Sequence, residues 1–251
     1  MSANKLNGLR VLNTRPLEQG QALSRAINSA GGIAIDFPTI LIEATHPNWL
    51  RHMPELTQIN QAIFISTNAV HYFFNTLEKH NIDWPNNIQI TAVGHATAEA
   101  LSTRGFTSHH IPAIADSEHL LALKSLQQIQ QQTILLIKGV GGRPVIAETL
   151  HTRDAYLIPL SVYRRVLPTM SEQYINSLWH DDAVDIILFT SQQTMNNLFT
   201  LFGKEASTWI CSKPCLVIST RLEKEAALLG MRTIITSSYD KILDTLRGIY
   251  T

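Results

Sequence analysis

Three pairs of segments recur at one spacing, and that spacing constrains the fold more than any other feature of the chain. "FISTNAVHYFF" begins at Phe64 and "FTSQQTMNNLF" at Phe189, 125 positions later. "AVGHATAEALSTRG" ends at Gly105 and "VISTRLEKEAALLG" at Gly230, again 125 apart. "VLNTRP" at Val11 and "LIKGVG" at Leu136 keep the same offset of 125. Generic strand–helix units can agree by chance at one register. Three agreements favour one supersecondary unit used twice, giving two similar α/β lobes.

The order of elements supports this. "RVLNT" (10–14) reads as a strand, with Pro16 suited to the first turn of a helix that runs to about Ala30. "GGIAIDF" (31–37) turns into a second strand. "QAIFIST", "IQITAVG", "TILLIKG", "VDIILFTS" and "PCLVIST" are short apolar runs of buried-strand type, each followed by a helical pattern. Thr220 with Glu223, and Ser237 with Asp240, fit capping boxes. Such alternation predicts parallel sheets with helices on both faces. Pro38 follows the second strand in "DFPTILIEA", and Pro159 follows the matching strand in "AYLIPLSVY". The extended segments just past these prolines predict a two-stranded connection between lobes. Tyr163 sits in the second of them, "LSVYRRV", which alternates like a half-exposed strand.

Composition excludes several classes of function. Lys+Arg and Asp+Glu are both 20, so the formal net charge is zero. A general electrostatic grip on nucleic acid or an anionic membrane needs a basic surplus that is missing here. No apolar run is long enough to span a bilayer. "MSANKLNGLRVLNTRP" lacks the apolar core of a signal peptide, so the expected compartment is the cytoplasm. Cys211 and Cys215 stand apart from any Cys or His cluster and read as reduced bystanders. The ten histidines show no metal-binding spacing. Asp181 and Asp182 read as a solvated turn.

The chemistry-bearing motifs are modest. "KGVGGRP" (138–144) lacks both the Lys-Ser/Thr of a P-loop and the third glycine of a dinucleotide fingerprint. It is either an anion cradle, built from backbone N–H groups and Arg143, or a plain tight turn. Ser66, Ser191 and Ser219 each close a buried strand and precede a helix. They read as N-caps, with Thr67 and Asn68 as alternatives for the helix after Phe64, and caps at the C-terminal edge of a parallel sheet also ring the usual ligand crevice. No serine sits in a G-x-S-x-G elbow, which disfavours a hydrolase triad.

Taken in order, "VLNTRP", "AVGHATAEAL", "LLIKGVGGRPVIAETL", "VYRR", "ILFTS" and "VISTRL" with "ALLGM" resemble the uroporphyrinogen-III synthase family over nearly the whole chain. The "STRL" passage departs from the family's commoner Gly-x-Thr form. The resemblance implies two Rossmann-like or flavodoxin-like parallel-sheet lobes joined by a two-stranded linker, with the active-site cleft between them. Mapped here, residues 1–37 join 168–251 as one discontinuous domain, 44–159 form the other, and 38–43 and 160–167 are the linkers. It implies dehydration, ring inversion and cyclisation of hydroxymethylbilane, a linear tetrapyrrole with eight carboxylates, without metal or cofactor, by a monomer.

Tyr163 matches the family's linker tyrosine and is the expected catalytic residue, since a phenol holds a proton at neutral pH and can donate it. Read onto the same motifs, the expected substrate-binding residues fall at the strand ends. These are Thr14 and Arg15, then Ser66, Thr67 and Asn68, then Gly94 and Thr97. Lys138, Gly139, Gly141, Gly142 and Arg143 follow, and Ser191, Ser219 and Arg221 complete the set. Two other readings stand beside this one. One is a non-catalytic two-lobed binder of a small polyanionic metabolite; the other is a sugar-phosphate or nucleotide enzyme on the same architecture.

Overall fold

The computed structural model describes residues 6–249; residues 1–5, part of the segment inspected for a leader, and 250–251 lie outside the described residues. The first stretch forms β1 (Arg10–Asn13), α1 (Leu17–Ser29) and β2 (Ile33–Asp36). Then follow β3 (Leu41–Ala44), β4 (Gln61–Phe64), α2 (Thr67–Lys79), β5 (Gln89–Ala92) and α3 (His95–Thr103). A short α4 (Ser117–Leu121) precedes β6 (Thr133–Gly139), α5 (Val145–Thr152) and the long β7 (Tyr156–Val166). The last stretch begins with α6 (Glu172–His180), β8 (Ile186–Phe189), α7 (Gln192–Phe202) and α8 (Ser207–Ser212). It continues with β9 (Cys215–Val217), α9 (Thr220–Leu228), β10 (Ile234–Thr236) and α10 (Ile242–Ile249).

Contacts divide the chain into two compact units. Unit 1 is Met1–Leu41 with Val166–Thr251, and unit 2 is Ile42–Arg165. Unit 1 holds a parallel sheet in the order β10-β9-β8-β1-β2. Its strands are apolar on both faces because both are covered, as parallel sheets require. Leu12, Ile187, Phe189 and Val217 pack under α7 and α9 on one face. Val11, Ile186, Leu188 and Leu216 pack with Ile27 of α1 and Leu246 of α10 on the other. Cys215 is buried here, and burial pushes its thiol up to about 12, so it stays an unreactive thiol.

Unit 2 holds a sheet in the order β3-β7-β6-β4-β5. Phe64, Leu135 and Ile137 face α2, whose Phe73 and Phe74 meet Trp84 and Phe106 in an aromatic cluster. Ile63, Ile134 and Leu136 face the other way, onto Ile146 and Leu150 of α5. β3 runs beside the end of β7: Thr45 N–H donates to Val162 O, and Arg164 pairs with Glu43 at 3.1 Å.

The internal repeat is visible in the strand register. Leu12 faces Ile35 in unit 1, and Ile137 faces Leu160 in unit 2, each 125 residues later. Ala62 faces Ile90, and Ile187 faces Cys215, at the same offset of 125. Even the single bridge Thr91–His110 matches the Leu216–Ile235 pair of β9 and β10. One joint differs: Leu12 meets Ile187, whereas Ile137 meets Phe64 rather than Ala62. A slip of two residues preserves which face each side chain occupies, so both cores survive it.

Two local expectations need correction. Pro159 does not end a strand, because β7 runs through it. Tyr156 N–H donates to Gln132 O, so by the two-residue period the ring nitrogen of Pro159 points away from β6. β3 lies beside only the later part of β7, and an unpaired edge tolerates a proline. The capping boxes also shift: Ser219, not Thr220, accepts from Leu222 N–H to cap α9. Ser237 meets Thr245 instead of a helix start.

Candidate functional site

In a doubly wound sheet, ligands bind beyond the carboxyl ends of strands where consecutive connections leave in opposite directions. In unit 2 that point lies between β6 and β4. The α5 connection from β6 covers one face and the α2 connection from β4 covers the other. The residues just past these strand ends are Gly139, which closes β6, and Ser66, which caps α2.

Tyr163 is aimed into this spot by a register irregularity. Lys138 is opposite Ser161 but Gly139 is opposite Tyr163, so Val162 is an extra residue on β7. A bulge of this kind re-aims the next side chain. Tyr163 therefore turns to the same core as Leu160 and Val162, and is 3% exposed where strict alternation predicted a half-exposed face. Its ring crosses the end of β6, which is possible because Gly139 has no side chain. A Cβ at Gly139 would lie 2.6 Å from Tyr163 Cζ. Beyond the glycine, the phenol oxygen meets Ser66 Oγ at 3.1 Å. Tyr72 stacks on the ring at 5.9 Å, the Arg165 guanidinium lies 5.8 Å from its centroid, and Tyr163 O accepts from Val140 N–H.

Other expected residues of unit 2 divide into two groups. Thr67 and Asn68 form the partly exposed first turn of α2, and that turn contains no acidic residue. Lys138 is part-exposed and makes no salt bridge among the described residues. Gly141 and Gly142 hold φ of 79° and 89° with open space around them, as a loop of exposed N–H groups requires. Arg143 is exposed and only loosely paired with Glu118, at 3.6 Å. Thr97 and Gly94 differ. Thr97 is buried in the first turn of α3. Gly94 is a packing glycine, since a Cβ there would come within 2.6 Å of Ala115 Cβ.

The matching point of unit 1 lies between β1 and β8. Thr14 stands where Gly139 stands in unit 2, but it is fully buried and its hydroxyl donates to Leu188 O at 2.6 Å. The sheet thus already uses its hydroxyl proton. Thr39 and Asn197 close the space further: Thr39 Oγ1 donates toward Thr14 O and Thr194 O, and Asn197 donates to Thr39 O. Arg15 is different. Its Nε and Nη1 are shielded from solvent and meet no acceptor among the described residues. The guanidinium carbon lies 4.6 Å from the centre of the Tyr239 ring, a cation–π contact that leaves hydrogen-bonding capacity unused. Ser191 caps α7 in a capping box with Thr194, and Ser219 caps α9; Arg221 is exposed on the first turn of α9.

Chemically, this gives one unit with a phenol set on a helix-capping hydroxyl and another with an unpaired guanidinium. The first turns of α2 and α3 carry no acidic residue, which favours anions there, whereas at α7 the Glu225 carboxylate already accepts from the Gln192 side chain. Tyr72 and Tyr239 were missed by sequence reasoning. Neither has a local signal, because each contacts a partner remote in the chain. The clearance role of Gly139 did have one: the repeat aligns it with Thr14. Among the described residues no group of three or more His, Cys, Asp or Glu is placed to hold a metal, and no helix is long and apolar enough to cross a membrane.

Comparison with known proteins places these features in a family. The family model described as uroporphyrinogen-III synthase HemD matches residues 21–242. The uroporphyrinogen-III synthase of Salmonella typhimurium is 30% identical over 230 residues, covering 90% of this chain and 94% of the relative. That of Escherichia coli is 28% identical over 230 residues, with the same coverage of 90% and 94%. A solved uroporphyrinogen III synthase from Thermus thermophilus shares the fold, with a TM-score of 0.63 at 16% identity over 96% of this chain and 97% of that one. The synthetase from Helicobacter pylori gives 0.61 at 15% identity, with 96% and 97% covered.

Proposed function

The chain belongs to the uroporphyrinogen-III synthase family, and we propose that it converts hydroxymethylbilane to uroporphyrinogen III by dehydration, inversion of the last pyrrole ring and ring closure. The observation that carries this reading for the chain's own residues is the Tyr163 phenol, held on Ser66 at the switch point of unit 2. Tyr163 donates its proton to the terminal hydroxyl, whose C–O bond breaks with the electron pair leaving in water. The pyrrole nitrogen supplies the electron pair that stabilises the resulting cation. Attack by the far ring carbon gives the spiro intermediate, and rearrangement and proton loss restore the aromatic ring and return a proton to the phenolate.

No cofactor is needed for these steps, because the pyrrole itself pushes out the leaving group. The protein must instead hold a flexible chain with its ends together, a contribution worth several kcal/mol. In this reading the carboxylates lie on the N-termini of α2 and α3, whose first turns have no acidic residue, on the N–H groups after Thr67, Asn68, Gly141 and Gly142, and on Arg15, Lys138 and Arg143. Residues 38–43 and 160–167 act as the linkers between domain 1–37 with 168–251 and domain 44–159. The reading also makes the protein a cytoplasmic monomer.

Incubating purified protein with hydroxymethylbilane tests this. The expected product is the ring-inverted isomer without added metal or nucleotide. Formation of the uninverted isomer at the uncatalysed rate contradicts the proposal. Tyr163→Phe is expected to lower kcat by about a hundredfold, in the range for general acid catalysis, with an unchanged circular dichroism spectrum.

A further inference from the structure

We propose that Ser66 and Gly139 are positioning residues for Tyr163, and that Ser66 acts in the transition state by donating to the phenol oxygen as Tyr163 gives up its proton. This rests on the reading of Tyr163 as the acid and assigns the two groups that make it effective.

Ser66 presents a single hydroxyl group to the phenol. It carries one proton and two acceptor positions. Ala69 N–H occupies one acceptor position at 3.0 Å, which fixes the rotamer. What remains faces Tyr163 Oη at 3.1 Å, where either oxygen can be the donor. Before reaction the two arrangements interchange at little cost. Once the phenol proton moves to the leaving hydroxyl, the phenolate can only accept. Ser66 must then donate, and the bond becomes charge-assisted and stronger. An interaction that strengthens only as charge develops lowers the barrier without tightening substrate binding. Ser66 also sits at the N-terminus of α2, whose first turn has no carboxylate, so the helix dipole acts in the same direction.

Gly139 supplies the other half. The bulge at Val162 turns Tyr163 toward β4, but the ring reaches Ser66 only across the end of β6. A Cβ at Gly139 would meet Tyr163 Cζ at 2.6 Å, Cε2 at 2.8 Å and Oη at 3.0 Å. The φ of this glycine is not in the left-handed region, so clearance for the ring, not backbone strain, explains it.

A double-mutant cycle on turnover tests the Ser66 assignment. Ser66→Gly is the informative variant, because glycine is a tolerated N-cap and leaves α2 nearly as stable. Its expected effect is a loss of about ten- to a hundredfold in kcat, the scale for one removed oxyanion donor, with KM within about twofold of wild type. In the Tyr163→Phe background the same change is expected to have almost no further effect, and Ser66→Thr is expected to restore most of the rate. Multiplicative losses in the double variant, or a rise in KM in place of the fall in kcat, overturn the assignment. For Gly139 the readout is thermal: Gly139→Ala is expected to lower Tm in the wild-type background and to be harmless in Tyr163→Ala, where the ring is gone. An equal drop in both backgrounds overturns the clearance role. Failure of the underlying reading shows separately, as wild-type protein that yields no inverted isomer.

Discussion

Units 1 and 2 repeat one architecture, yet they end their central strands differently. At the position 125 residues apart on β1 and β6, unit 1 has Thr14 and unit 2 has Gly139. Across from it, unit 1 has Pro38 and unit 2 has Tyr163, again 125 apart. In unit 1 the threonine turns down, bonds Leu188 O and seals the crevice. In unit 2 the glycine leaves room for the Tyr163 ring, which a bulge turns across the strand end. A duplicated scaffold thus ends in two differently built strand ends. Two differences and one bulge give unit 2 a phenol at its strand end where unit 1 has none. In unit 1, Arg15 Nε and Nη1 meet no acceptor among the described residues.

The comparison can be broken by making the units alike. Gly139→Thr copies the unit 1 strand end into unit 2 and evicts the Tyr163 ring. Turnover is expected to fall at least about a hundredfold, measured as inverted product per enzyme, the loss expected when an acid is displaced. Thr14→Val removes the seal in unit 1 without changing its shape. It is expected to cost about 1–3 kcal/mol, because Leu188 O loses a buried donor, and to leave kcat unchanged; denaturant unfolding and a rate assay check both. The smallest effect concerns the opposite edge of unit 1, where Arg10 grips Asp185 through side chain and backbone and holds its carboxyl below the ordinary aspartate range. A lowered folded value stabilises the folded state at all pH above the ordinary value of about 3.9, and that stabilisation fades as the pH falls further. Asp185→Asn is expected to cost roughly 0.5–1 kcal/mol at neutral pH, the range for a part-exposed pair, and to flatten the acid limb of a Tm–pH curve.

Much of the scaffold was legible because it rests on local signals. Short apolar runs gave the strands, hydroxyl residues gave caps at Ser66, Ser191 and Ser219, and the spacing of 125 carried even the strand register. The site was less legible because it depends on where side chains turn. Thr14 follows a strand as a rim residue does, but its hydroxyl points into the sheet, and the group that draws it inward lies far along the chain. Period-two reasoning left Tyr163 half-exposed, since no local residue marks Val162 as a bulge. Pro159 suggested a strand end because its sequence gives no sign that β7 is unpaired there on one side.

The central claim is a division of labour between the two strand ends, and parallel measurement of kcat and KM for Tyr163→Phe and Arg15→Met tests it most directly. The account predicts a split: kcat falls with KM nearly constant for the tyrosine, and KM rises with kcat nearly constant for the arginine. A loss of kcat at Arg15, or a rise in KM alone at Tyr163, would contradict it.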